Sequence, residues 1–238
     1  MLKISVSKSF NGKKIIEKAE FRAEKGDFVC IVGESGSGKT TLLRMVAGLE
    51  SYEGEITFRG EKIDRKSIGF VFQDDRLLPW RTALENVLFG LELRGEEESI
   101  SKARKVLELV GLKGFEDHYP SQLSGGQRQR VGIARALAID PEILLMDEPF
   151  ASLDELTREK MQEELNQIWN REKKTVLFVT HSIDEAIFLG TKVVVLTGIP
   201  SKVRGVIDIS LKKRIRTSDE FIEYKKRVFE LLSPQSMF

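Results

Sequence analysis

Eight consecutive residues, Gly33-Glu34-Ser35-Gly36-Ser37-Gly38-Lys39-Thr40, match G-x-x-x-x-G-K-[ST] without a mismatch and constrain the chain more than any other stretch. The run Phe28-Val29-Cys30-Ile31-Val32 before it is unbroken and apolar, as a strand buried on both faces requires, and Thr41 to Ala47 after it reads as a helix. In that order the glycines let backbone N–H groups turn inward on one anion, and the helix N-terminus adds partial positive charge. Lys39 supplies a mobile ammonium for the outer phosphates. Thr40 then offers its hydroxyl to Mg²⁺. A plain Gly/Ser-rich turn is the alternative; the strand and helix on either side favour a nucleotide-binding loop.

A chain of 238 residues is long enough to bury a sizeable core, and 41% hydrophobic with 32% charged residues describes an ordinary soluble globular protein. No apolar run approaches the roughly 20 residues that cross a bilayer. The start, Met1-Leu2-Lys3-Ile4-Ser5-Val6-Ser7, alternates like a strand and lacks the apolar centre of a secretory signal, which predicts a protein that stays in the cytosol. The single cysteine, Cys30, lies inside the apolar strand and reads as a core residue. A net charge of +1 gives no electrostatic reason to expect nucleic acid as the main partner.

In chain order, residues 2 to 8 alternate as a strand ending near Phe10, Asn11-Gly12 marks a turn, and Ile15 to Ala23 returns as a second strand. The expected start is an antiparallel ribbon feeding a central sheet. Glu53 to Gly60 suggests a hairpin and Ile68 to Phe72 another apolar strand, ended by Gln73. Leu77-Leu78-Pro79-Trp80 is apolar where a loop is expected, so it is either core or the lining of a groove for another protein. Thr82 and Glu85 form a capping box opening a helix from Ala83 to Leu93, and a second helix runs from about Ile100 to Val110. The last third alternates strand and helix: Ile143 to Met146, about Asp154 to Asn170, Thr175 to Thr180, Ser182 (boxed by Glu185) to Leu189, Val193 to Leu196. That alternation predicts a parallel sheet. Val203 to Ile209 adds a strand and Asp219 to Leu232 an amphipathic helix. The cluster Lys212, Lys213, Arg214 and Arg216 reads as a solvated turn, with a contact to anionic headgroups or a partner as the alternative.

Two further stretches carry chemistry. Ile143-Leu144-Leu145-Met146-Asp147-Glu148 delivers two carboxylates at the C-terminal end of an apolar strand, where ligands of open parallel sheets sit. Asp147 is placed to hold a Mg²⁺ shell and Glu148 to take a proton from, or orient, a water attacking a γ-phosphate. Leu123-Ser124-Gly125-Gly126-Gln127 is a second anion signal: Ser124 as N-cap with two glycines behind it leaves N–H groups at a helix start. His181 follows another strand end and reads equally as structural or as a phosphate contact.

Over nearly its whole length the chain resembles the ATP-binding subunits of ABC transporters. The Walker A loop Gly33 to Thr40, Gln73 as the Q-loop, the signature Leu123 to Gln127, the Walker B end Asp147-Glu148, the D-loop Ala151-Ser152-Leu153-Asp154 and the switch His181 stand in family order. The resemblance implies an α/β fold: a P-loop NTPase core with a mainly parallel sheet and an N-terminal antiparallel β subdomain. A helical subdomain at 74–138 and a C-terminal extension at 200–238 complete a single domain of 1–238. It implies ATP hydrolysis by a head-to-tail pair of copies. The Walker residues Gly33, Glu34, Ser35, Gly36, Ser37, Gly38, Lys39, Thr40 and Thr41 of one copy hold ATP against Ser124, Gly125, Gly126 and Gln127 of the other. Phe10 stacks on adenine where tyrosine is more usual, Gln73 joins Thr40 and Asp147 at Mg²⁺, and Asp154 links the two sites. Within the family, Gln73 to Thr82 resembles importers for nitrate, taurine, other sulfonates and pyrimidine precursors. That branch implies integral membrane permease subunits as partners, indirectly an extracytoplasmic solute-binding protein, no nucleic acid, and a place on the cytoplasmic face of the membrane. The alternatives are a soluble ABC ATPase switching nucleic acid, ribosome or protein assemblies, and the ATPase of an exporter.

Overall fold

The computed structural model describes residues 1–95 and 99–233. In chain order the first elements are β1 (Leu2–Phe10), β2 (Lys13–Ala23), β3 (Phe28–Gly33), α1 (Lys39–Val46), β4 (Glu53–Phe58), β5 (Glu61–Lys62) and β6 (Ile68–Val71). Then come α2 (Ala83–Glu92), α3 (Ser99–Leu109), α4 (Gly125–Ala138), β7 (Ile143–Asp147) and α5 (Glu155–Glu172). The chain closes with β8 (Thr175–Val179), α6 (Ile183–Leu189), β9 (Lys192–Thr197), β10 (Ser201–Asp208) and α7 (Asp219–Leu232). Contacts divide it into two units, 1–65 with 174–238, and 66–173. Among the described residues no helix is long and apolar enough to cross a membrane.

The first unit is built on strands in the order β5-β4-β1-β2-β10-β9-β3-β8. β1 buries Leu2, Ile4 and Val6 and half-exposes Lys3, Ser5 and Ser7, the period-two pattern of a strand with one covered face. It pairs antiparallel with β2 and with β4. Asn11 and Gly12 both take positive φ, 47° and 77°, as a two-residue hairpin turn of matching twist requires. β3 is buried throughout its first five residues and lies parallel between β8 and β9, so its apolar run has no solvent face to serve. β10, the expected extra strand, pairs antiparallel with β9 and parallel with β2. α7 has the bounds read from the sequence and buries Phe221 and Val228.

The basic cluster does not behave as one solvated turn. Lys212 and Lys213 are exposed, but Arg214 turns inward and donates to the carbonyls of Ile187, Phe188 and Gly190 at the C-terminal end of α6, and Arg216 lies over the Phe188 ring at 4.1 Å. Those carbonyls have no acceptor role within their own helix, and a guanidinium fork satisfies several at once. Burial, partly offset by Cys30, pulls Arg214 below the ordinary arginine range. Burial pushes the Cys30 thiol up, as a core cysteine requires.

In the second unit β6 and β7 pair parallel, and α4 packs on β6, α2 and α3. The helical segment expected at 74–138 lies within this unit. The box at Thr82 forms as read: Thr82 N–H donates to the Glu85 carboxylate at 2.7 Å and Glu85 N–H to the Thr82 hydroxyl at 3.3 Å. Ahead of it, Leu77 is core while Trp80 is 71% exposed, so core packing accounts for only part of the apolar loop.

Candidate functional site

In the first unit the phosphate loop leaves β3 at Gly33, where a Cβ would stand 2.3 Å from the Leu196 carbonyl oxygen of β9; only glycine fits that approach. Gly36 and Gly38 take φ of 80° and 82°, and Gly38 is the N-cap of α1. No acidic residue lies in the first turn of α1 to oppose an anion there. Lys39 curls over the loop and donates to the carbonyls of Gly33 at 2.9 Å and Glu34 at 3.0 Å, which keeps its ammonium at the loop. A cavity of about 600 Å³ opens at the opposite end of α1, lined by Met45, Leu49, Tyr52 and Arg65, and shares no residue with the loop.

Phe10 ends β1 and is 41% exposed, and the Lys8 ammonium sits 4.5 Å from its ring centroid. Lys8 is itself buried and held by the Ser51 carbonyl at 2.7 Å and the Glu50 carboxylate at 3.3 Å. His181, just past β8, is exposed. The residues on either side of it are pinned: Ser182 N–H donates to the Thr180 hydroxyl at 3.0 Å and Thr180 N–H to Ile31 O at 3.2 Å. Ser182 does cap α6, accepting from Glu185 N–H at 3.3 Å, but the expected reciprocal bond is replaced. The Glu185 carboxylate is buried and takes the Thr180 hydroxyl instead, a partner that spares it solvent.

In the second unit β7 is buried along its length and ends in Asp147, 5% exposed. Glu148 follows with φ at 43°, a left-handed backbone that costs a residue bearing a Cβ about 1–2 kcal/mol. Ser124 is the N-cap of α4 and shares a box with Gln127: Gln127 N–H donates to the Ser124 hydroxyl at 3.2 Å and Ser124 N–H to the Gln127 side-chain oxygen at 2.8 Å. Gly125 and Gly126 thereby occupy the first helical positions, whose N–H groups have no intrahelical acceptor. That helix start rests on α5, since a Cβ on Gly126 would meet the Thr157 methyl at 3.1 Å. Asp154 caps α5 by accepting from Thr157 N–H at 3.1 Å, and that bond holds its carboxyl below the ordinary 3.8.

Gln73 is exposed just past β6. The loop after it is gripped by α4 through residues the sequence did not single out. Arg128 Nε donates to the Asp75 carboxylate at 2.9 Å, and Arg135 donates to the carbonyls of Asp75 at 2.9 Å and Arg76 at 2.8 Å. Gln73 and Ser124 thus belong to segments joined by Asp75 and Arg128. Asn86 was also unforeseen: fully buried, it ties the Leu78 to Thr82 segment to α2 through Leu78, Arg81 and Thr82.

The model of the family described as ABC transporter matches residues 16–151. An uncharacterized ABC transporter ATP-binding protein of Methanocaldococcus jannaschii, MJ0412, is 50% identical over 234 residues, covering 95% of this chain and 88% of that protein. The aliphatic sulfonates import ATP-binding protein SsuB of Bacillus cereus is 46% identical over 228 residues, covering 94% and 90%. Among solved structures, a dimeric post-hydrolysis state of the ATP-binding cassette MJ0796 bound to ADP and Pi superposes with a TM-score of 0.74 at 33% identity, covering 89% of this chain and all of that one. The resemblance read from the motifs and the α/β fold it implied are therefore both found, and the chain belongs to the ABC transporter family.

Proposed function

We propose that the chain is the ATP-hydrolysing subunit of an ABC importer for small oxyanionic solutes of the nitrate, sulfonate and taurine class. Two copies face head to tail. Gly33 to Thr41 of one copy hold the triphosphate against Ser124 to Gln127 of the other, Phe10 lies against adenine, and Asp154 crosses to the neighbouring site. The likeness to the dimeric cassette and to the sulfonate importer subunit supports this reading. The observation that carries it is a single chain opening two helices at glycines, Gly38 before α1 and Gly125-Gly126 at the start of α4, when one nucleotide needs only one such cradle.

Thr40, Gln73 and Asp147 would hold Mg²⁺ in this reading, since a hydroxyl, an amide oxygen and a carboxylate are the hard oxygen donors that suit it. Among the described residues no group of three His, Cys, Asp or Glu side chains could hold a metal, and a Mg²⁺ bound by one carboxylate together with nucleotide phosphates needs none. When bound, the metal neutralises charge on the phosphates. Glu148, at the mouth of a buried strand, accepts the proton of the attacking water, and His181 contacts the γ-phosphate from the other strand end. Hydrolysis separates the γ-phosphate and so removes the charge that held the Ser124 helix start. The motion passes through Gln73 and Asp75 to Leu78 and exposed Trp80, which meet the permease on the cytoplasmic face of the membrane. The extracytoplasmic solute-binding protein touches only the permease.

Glu148→Gln tests this chemistry. It is expected to bind ATP, to lose at least about 10²-fold in turnover, and to accumulate as a dimer on size exclusion with ATP. Turnover near wild type would place the base elsewhere. The solute is tested by purifying the membrane complex and asking whether a sulfonate stimulates its ATPase; stimulation by none of the class would remove that assignment.

A further inference from the structure

A left-handed glutamate persists only where its surroundings hold both ends of it. The end of β7 fixes the near side of Glu148, because that strand is buried through Asp147. On the far side runs 149–154, a loop stitched by two backbone bonds, Ala151 N–H to Glu148 O at 3.1 Å and Leu153 N–H to Phe150 O at 3.2 Å. Phe150 is buried and anchors its middle. Arg158, at the end of the first turn of α5, reaches back over this loop. Its Nε donates to Phe150 O at 3.3 Å and its Nη2 to Leu153 O at 2.8 Å, while Nη1 bonds the Glu155 carboxylate at 3.0 Å. The planar guanidinium holds two carbonyls three residues apart at a fixed spacing, which a single ammonium cannot do. Its side chain is only 25% exposed, so the arginine is not serving as a solvated surface charge.

We propose that Arg158 is a positioning residue for ATP hydrolysis: by clamping the Phe150 and Leu153 carbonyls it fixes the loop that holds Glu148 in its left-handed backbone. The inference rests on the reading of Glu148 as the base. Arg158 never touches nucleotide in this scheme. It acts through Phe150, Ala151 and Glu148, so its loss should leave binding intact and misplace the carboxylate, and a misplacement of about 1 Å costs on the order of 10²-fold in rate.

The test compares Arg158→Met and Arg158→Lys in the full chain. Expected are a kcat lower by about 10²-fold in Arg158→Met and by at least about tenfold in Arg158→Lys, with KM for ATP within about twofold of wild type. The ATP-dependent dimer should persist, and exchange of the Ala151 amide should quicken while the β7 amides hold. A kcat within about threefold of wild type in both variants would overturn the proposal, as would KM and dimer formation failing in step with kcat. Should Arg158→Met not fold, Arg158→Lys, which keeps the stem and the charge, carries the test. Failure of both to fold would assign Arg158 to the fold and equally overturn the clamp. Glu148→Gln run alongside separates the two ideas. Normal turnover there removes the base itself, whereas an inactive Glu148→Gln beside normal turnover in both Arg158 variants removes the clamp alone.

Discussion

Asn86 offers a stability prediction whose size and sign can both be worked out. Its side-chain oxygen accepts from Leu78 N–H at 2.8 Å, and its NH₂ faces three carbonyls, Leu78 at 3.2 Å, Arg81 at 3.0 Å and Thr82 at 2.9 Å. Two hydrogens cannot serve three acceptors in full, so the side chain is worth about three bonds rather than four. At roughly 1 kcal/mol net each, Asn86→Ala should destabilise the second unit by about 3 kcal/mol. Asn86→Asp should be worse than Asn86→Ala, because a carboxylate keeps the Leu78 bond but turns an acceptor toward three carbonyl oxygens in a site closed to water. Both tryptophans, Trp80 and Trp169, lie in that unit. In a Trp80→Phe background the buried Trp169 is therefore a single fluorescent reporter of its unfolding in urea. A shift under about 0.5 kcal/mol for Asn86→Ala, or an aspartate milder than the alanine, would refute the accounting.

Arg214→Met should cost about 2 kcal/mol by removing a cation and its bonds from the end of α6, read as the melting temperature. The exposed pair Lys212→Ala with Lys213→Ala should stay within about 0.5 kcal/mol, and equal effects would return the cluster to a solvated turn. Asp154 titrates below its ordinary 3.8 because the folded chain donates Thr157 N–H to the carboxylate. The folded state thus binds that proton less readily than the unfolded one. The contribution is complete above 3.8 and is lost as pH falls through the folded value, so Asp154→Asn, which keeps a capping oxygen, should flatten the acid limb of a stability-against-pH curve.

Most elements were legible because their signals are local. The apolar run of β3, the alternation of β1 and the box at Thr82 each announce one element, and the glycine and signature spacings named candidate site residues without any contact information. What escaped was non-local or looked ordinary. Asn86 occupies a core-facing helical position with a polar side chain whose partners lie in the preceding loop, so its pattern suggests surface. Arg214 stands among three other basic residues, and nothing in such a run distinguishes the one that turns inward. Glutamate gives no hint of the positive φ that Glu148 adopts, since only glycine and asparagine advertise it. Glu185 matched the capping pattern, yet a nearby hydroxyl competed for its carboxylate, and burial decided the contest.

β10, although near the end of the chain, stands between β2 and β9, while 66–173 forms a unit of contiguous sequence. During synthesis the opening ribbon must therefore wait for a strand about 185 residues later before its open side is covered, an interval of about 10–40 s at ordinary translation speeds. Through that time β2 offers unpaired backbone groups to any other nascent strand. β1 can pair with β2 and β4 as they emerge, so it is the outer side of β2 where a slow ribosome or an absent chaperone would first show as aggregation.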